Sequence, residues 1–138
     1  MRRSFHILLF AAALSAHIAL RGWALASLPS QAGEGLISFG LRFNRGVAFS
    51  FLRTAPGAAQ LMSVAAFFIL ATMHRALAAL RNSAAWPLLY AGAAGNMADR
   101  LTYGYVVDWL QVGPLAINAA DMLLCLGGAI FIIDLLRK

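Results

Sequence analysis

The sequence predicts an all-α membrane protein, a four-transmembrane-helix bundle with a small extracytoplasmic β-cradle between helices 1 and 2. Three observations predict it. Of the 138 residues, 62% are hydrophobic and 12% charged, whereas a soluble domain is nearer half apolar and a quarter charged. Four apolar runs approach the roughly 20 residues that a helix needs to cross a bilayer. Between the first two lies a stretch whose apolar residues recur with a period of two. A water-soluble enzyme is excluded, and the length accommodates one integral-membrane domain, 1–138, without a second folded unit.

The first run extends from Phe5 to about Leu28 behind Arg2 and Arg3, interrupted by His17 and Arg21. Ala24-Leu25-Ala26 resembles a signal-peptide cleavage site. The run is long for a signal, however, and the chain after it is itself hydrophobic, so a retained helix is expected. The second run is uncharged from Thr54 to Met73 and extends to Leu77–Leu80, with Pro56 where a first helical turn tolerates it. The third covers Asn82 to Ala98 and the fourth about Leu115 to Leu136.

Ile37, Phe39, Leu41 and Phe43 alternate with Ser38, Gly40, Arg42 and Asn44, which marks a strand with one apolar face. The apolar patch Val47, Ala48, Phe49, Phe51 follows it. Backbone outside a helix cannot face lipid unpaired, so this segment belongs at the interface or against the helices, its apolar side covering something. Four spans place both termini on one side. The arginines at 2 and 3, the tight loop holding Arg75 and Arg81, and the pair Arg137 and Lys138 assign that side to the cytoplasm. The strand and a loop from Asp99 to Gly113 then face outward.

The net charge is +6, but the basic residues are scattered among apolar runs and read as contacts to membrane lipids, not nucleic acid. Cys125 is the single cysteine, so neither a disulfide framework nor a cysteine-rich metal site is available. It reads as a small apolar filler. No metal or other cofactor is expected, and Gly92, Gly95, Gly127 and Gly128 read as close helix contacts.

Two acids sit where acids are costly, Asp99 at the outer end of the third span and Asp121 in the first turns of the fourth. Each follows an asparagine by three residues, Asn96 and Asn118, on the same helix face. Antiparallel neighbours joined by a short loop bring the two pairs to one depth, so the carboxylates can meet. Two carboxylates in a poorly solvated place share one proton. The ionised member can activate water against a peptide carbonyl while the protonated one assists the leaving amine. The plainer alternative is polar glue between helices, and a third reading is a membrane scaffold or transport subunit using the acids as a proton relay. Arg21 reads as snorkelling to headgroups, His6 and His74 as solvated, and Asp108, beside Tyr103, Tyr105 and Trp109, as an anchor of the outer loop.

Gly95-Asn96-Met97-Ala98-Asp99-Arg100, Val106-Val107-Asp108-Trp109 and Ile117-Asn118-Ala119-Ala120-Asp121 resemble successive motifs of the lipoprotein signal peptidases, or signal peptidase II. Asn44-Arg45-Gly46-Val47-Ala48-Phe49-Ser50 resembles an earlier motif of that family. The resemblance implies an intramembrane aspartyl endopeptidase of the bacterial inner membrane, its active site near the outer leaflet. Such an enzyme removes signal peptides from prolipoproteins by cutting before a diacylglyceryl-modified cysteine. It further implies Asp99 and Asp121 as catalytic dyad, Asn44, Asn96, Arg100 and Asn118 as substrate-binding residues, a monomer, and sensitivity to globomycin-type inhibitors. His17 stands where the family typically has an aspartate, four residues before a basic position filled here by Arg21. That departure admits a paralogue with restricted substrate choice. Ile117 replaces a usual phenylalanine, and the loop at Gln111 to Leu115 is shorter than typical.

Overall fold

A computed structural model describes residues 2–30, 33, 35–46 and 56–137. The expected patch at Val47, Ala48, Phe49 and Phe51, the end of the Asn44 motif, Arg53, Thr54 and Lys138 lie outside the described residues. The chain forms α1 (Arg2–Ser27), β1 (Ile37–Asn44), α2 (Pro56–Ala76), a 3-10 turn (Ala78–Leu80), α3 (Ala85–Tyr103), β2 (Val106–Val112), β3 (Leu115–Ile117) and α4 (Ala119–Leu136).

Apolar side chains point outward and polar ones inward. Leu8 on α1, Leu61 and Phe68 on α2, and Leu126 and Ile132 on α4 are exposed. Cys125 is exposed as well and fills no core. The buried set is rich in small and polar residues: Ala13, Ala24, Ala59, Ala91 and Ala120 stand beside His17, Asn96, Asp99, Arg100, Asp108 and Asn118, with Trp86, Val106 and Trp109 among the large apolar ones. This suits a lipid surround, in which outward apolar groups cost nothing and close packing of small residues joins the helices.

Three helical stretches are long and apolar enough to cross a membrane, Arg3–Ser27, Gly57–Ala76 and Ala119–Leu136. α3 is not among them, its 19 residues including Asn96, Asp99 and Arg100. These polar groups belong to the central position of α3, which packs against α1, α2 and α4. Close approach depends on missing side chains. A Cβ at Gly92 would stand 2.6 Å from the Ala120 carbonyl oxygen, one at Gly95 2.7 Å from the His17 ring, and one at Gly127 2.9 Å from Leu89. Gly128 meets nothing within 4 Å.

The expected β-cradle is larger than the segment between α1 and α2, because the strand after α1 belongs to a three-stranded antiparallel sheet of order β1-β2-β3. The expected outer loop from Asp99 to Gly113 is instead the last turn of α3 followed by β2. Gly104, at φ 77°, ends α3 with its N–H on the Arg100 carbonyl. Gly113, at φ 57°, starts the two-residue turn into β3. β1 pairs with β2 from Ile37↔Val112 to Asn44↔Val106, with an irregularity between Phe39 and Arg42. Such a break shifts which side chains share a face: Ile37, Phe39 and Phe43 are exposed, while Leu41 packs with Ala24, Trp109 and Ala119. Phe39 stacks on Trp109, and Phe43 meets Tyr105 edge-on. Trp109 in turn packs with Ala24 and Ala119, seating the sheet on α1 and α4.

Gly92→Ala forces its methyl onto backbone that cannot yield, so it should lower stability by about 1–3 kcal/mol. Gly128→Ala, entering open space, should be neutral. Thermal unfolding in detergent micelles checks the pair.

Candidate active site

The site begins with a helix cap. Asn118 is the N-cap of α4; its side-chain oxygen accepts from the N–H of Ala120 at 2.7 Å and of Asp121 at 3.2 Å. Asp121, at the third helical position, accepts from the Asn118 N–H at 3.2 Å and completes a reciprocal capping box. The Asn118 side-chain amide nitrogen remains, and it donates to two carboxylates, Asp121 Oδ2 at 2.9 Å and Asp108 Oδ1 at 2.7 Å. Asp108 comes from the middle of β2 and is 1% exposed. Its other oxygen accepts from Asn44 Nδ2 at 3.0 Å across the sheet. Asn96 of α3 donates to Asp121 Oδ1 at 2.9 Å. Asn44, Asn96, Asn118, Asp108 and Asp121 thus form one connected network drawn from two strands and two helices.

Asp99 belongs to a different contact. It accepts from Arg21 of α1, and its Oδ2 lies 3.3 Å from His17 Nε2. The Arg21 guanidinium also sits 4.9 Å from the Tyr103 ring centre, so this arginine turns inward and does not snorkel. The i, i+3 spacing on α3 therefore works differently from that on α4. Asn118 binds its own aspartate, whereas Asn96 reaches across to Asp121 and leaves Asp99 to α1. The carboxylate that shares a hydrogen-bond donor with Asp121 is Asp108, where the sequence reading expected Asp99.

Arg100 is buried and braces three segments. Its guanidinium donates to the Gly46 carbonyl at 2.9 Å and to Ser63 Oγ of α2 at 3.3 Å, while Gln60 Nε2 donates to the Arg100 carbonyl at 2.9 Å. A cavity of about 420 Å³ opens between α2, α3 and α4, lined by Ser63, Asn96, Arg100 and Asp121 with apolar walls that include Met62 and Leu124. On these lining residues, Asn96 Oδ1 and Arg100 Nε are buried without a hydrogen-bond partner among the described residues, which is costly for a polar atom.

Electrostatics distinguish Asp108. Burial raises its pKa from the ordinary 3.8 to about 6, and the Asp121 charge pushes the same way; the Asn118 and Asn44 hydrogen bonds and Arg100 oppose this. Sequence reasoning missed Asp108 as a site residue, placing it on an exposed loop. The available signal was its setting, an acid within the strand-forming run Val106-Val107-Asp108-Trp109-Leu110 between Gly104 and Gly113.

These features define a helical membrane protein whose buried acids gather where a short sheet meets the helix ends. Comparison with known proteins narrows the class. The signal peptidase (SPase) II family model matches residues 8–137. The lipoprotein signal peptidase of Chromobacterium violaceum is 36% identical over 117 residues, 76% of this chain and 72% of the relative. That of Ralstonia nicotianae is 39% identical over 114 residues, 75% of this chain and 66% of the relative. A solved structure described as a bacterial membrane enzyme superposes with a TM-score of 0.79 at 23% identity, over 97% of this chain and 88% of that one. The chain belongs to the signal peptidase II family, a family of proteases.

The raised pKa fixes a pH dependence of stability. Between about pH 4 and pH 6 the folded state keeps the Asp108 proton that the unfolded state has lost. The folded state binds more protons there, so stability falls as pH rises through that window, by about 3 kcal/mol from this group. Asp108→Asn should remove that slope, read as the difference between the two proteins' unfolding free energies at pH 4 and pH 7.

Proposed function

We propose that the protein is an aspartyl endopeptidase that spans the membrane four times, α3 being the fourth and innermost span, and removes signal peptides from prolipoproteins before a lipid-modified cysteine. The catalytic pair in this reading is Asp108 and Asp121; Asp99 is a positioning residue that ties α3 to α1. The observation that carries it is the Asn118 amide, 2.7 and 2.9 Å from the two carboxylates, one of which, Asp121, lines the cavity.

Two acids held at one amide can divide the work, one keeping a proton and the other acting as base. Asp108, pushed upward by burial and by its neighbour's charge, is the member suited to keep it. Asp121, facing the cavity, is then the base. It takes a proton from a water molecule as the water oxygen attacks the scissile carbonyl carbon. Asp108 donates a hydrogen bond to the carbonyl oxygen, and the tetrahedral intermediate collapses with a proton passing to the leaving amine. Asn96 and Arg100 line the cavity beside Asp121 and are the polar residues placed to meet the substrate peptide. The exposed apolar residues of β1 suit the outer face of the inner membrane, with both termini in the cytoplasm. His17 does not line the cavity; its ring is buried against Gly95 and Asp99. That favours general prolipoprotein processing over a paralogue with restricted substrate choice; globomycin-type inhibition and action as a monomer belong to the same proposed reading.

Cleavage of a diacylglyceryl-modified prolipoprotein in reconstituted membranes tests the assignment. Asp108→Asn and Asp121→Asn should each lower kcat by about 10³-fold or more while the protein stays folded. Asp99→Asn leaves Arg21 and His17 without their buried partner, so it should cost about 3–5 kcal/mol of stability yet retain cleavage in the fraction that folds. Full cleavage by Asp108→Asn, with none by a folded Asp99→Asn, would return the dyad to Asp99 and Asp121. Proton flux dependent on these acids without any cleavage would replace the peptidase by a relay.

A further inference from the structure

The end of the bundle that carries both termini holds a second cavity, for which the peptidase reading has no use. It measures about 330 Å³ and is walled by Ile7 and Phe10 of α1, Phe67 of α2, and Trp86 and Tyr90 of α3, with His74 at one side. His74 also lines an adjoining pocket of about 210 Å³ whose other walls are Arg75 and Arg81. The histidine is fixed in place and not solvated as its sequence position implies. Its ring stacks on Trp86 at 4.4 Å between centres, and its two nitrogens lie 3.2 Å from the Tyr90 hydroxyl and 3.3 Å from the Arg81 carbonyl oxygen. An apolar slot and a cationic pocket therefore share one wall.

The charges there are unmatched. Arg75 and Arg81 are exposed, and among the described residues neither has a carboxylate partner; the ion pairs found are those of Asp99. Asp134, the acid of α4 that lies at this end, is held at 2.5 Å by Ser83. Depth matches a lipid. Phe67 precedes Arg75 by eight residues on one helix, about 12 Å along its axis, so the slot runs inward from the level of the arginines into the hydrocarbon layer.

We propose that this end binds one anionic phospholipid, with its phosphate on Arg75 and Arg81 and an acyl chain in the cavity beside Trp86. Guanidinium groups pair with phosphate oxygens through parallel N–H donors, and basic pockets between membrane helices recognise anionic headgroups. A zwitterionic lipid gains less. The Asp134 carboxylate at this end already accepts from Ser83 and does not line either pocket, and the Trp86 face that could attract a cationic group is covered by His74.

The test uses the full chain in phosphatidylcholine nanodiscs doped with phosphatidylglycerol or phosphatidylcholine brominated on the acyl chains. The signal is tryptophan quenching that disappears in Trp86→Phe, which isolates Trp86 from Trp23 and Trp109. Brominated phosphatidylglycerol should be preferred over brominated phosphatidylcholine by about 30-fold, two arginines at roughly fivefold each. The preference should vanish in the Arg75→Gln, Arg81→Gln double variant and fall about fivefold in Arg81→Gln alone, which serves if the double variant folds poorly. Equal quenching by the two lipids, or a preference that survives the double substitution, overturns the proposal. So does a thermal shift with inorganic phosphate alone as large as that with phosphatidylglycerol, which would make the ligand a free phosphate. None of these readouts involves proteolysis, so their failure leaves the peptidase assignment untouched.

Discussion

One side-chain amide joins the two parts of this protein. Asn118 caps α4 through its oxygen and holds Asp121 of that helix and Asp108 of the sheet through its nitrogen. Each of its hydrogen-bonding atoms is committed, so it cannot turn without breaking a helix cap and a carboxylate contact together. The geometry of the acids is thereby coupled to folding. Where β2 and α4 form in register, the carboxylates fall within reach of one nitrogen. Unpaired polar groups in such surroundings are costly, which makes the connected arrangement the favourable one.

A second anchor sets the rotation of α3. Asp99 is tied to α1 by Arg21 and His17, and Gly95, one turn earlier, makes the space that the His17 ring occupies. With that face fixed, Asn96 points toward α4 and reaches Asp121, while Arg100 turns toward α2 and the backbone after β1. Three consecutive faces of one helix thus carry three jobs. Asp99 positions, Asn96 orients the acid, and Arg100 ties in the segment that follows the sheet. Its polar load keeps α3 below the hydropathy of its neighbours, and its central position removes the need for an apolar exterior.

The membrane character and the helices were legible because each rests on a local property, an apolar run of sufficient length. β1 was legible for the same reason, through alternation over eight residues. Its partners were not. β2 is buried nearly throughout, so Val106, Val107, Asp108 and Trp109 show no alternation to read, and β3 is three residues long. The acids divide along the same line. Asp121 was found because its asparagine lies on its own helix, a contact set by sequence spacing. The partners of Asp99 and Asp108 lie 78 and 64 residues away, at Arg21 and Asn44, and spacing within one element carries no information about them. Even the symmetry of the two Asn-x-x-Asp motifs misled, since one closes on itself and the other is divided between two neighbouring helices.

A capping box alone explains why Asn118 and Asp121 stand three residues apart, since the pattern is among the commonest ways to begin a helix. It leaves Asp108 without an explanation. A strand residue that merely filled the core at that position would be apolar. An acid placed there is buried to 1%, faces a second carboxylate, and is pushed up to about 6. Structural ion pairing takes the opposite form, seen at Asp99, where a cation answers the carboxylate directly. Asp108 has amides instead, from Asn44 and Asn118, which orient a carboxyl group without neutralising it. The arrangement holds a carboxyl group with a raised pKa at a fixed place one amide away from Asp121, which lines the cavity, and packing alone does not call for it.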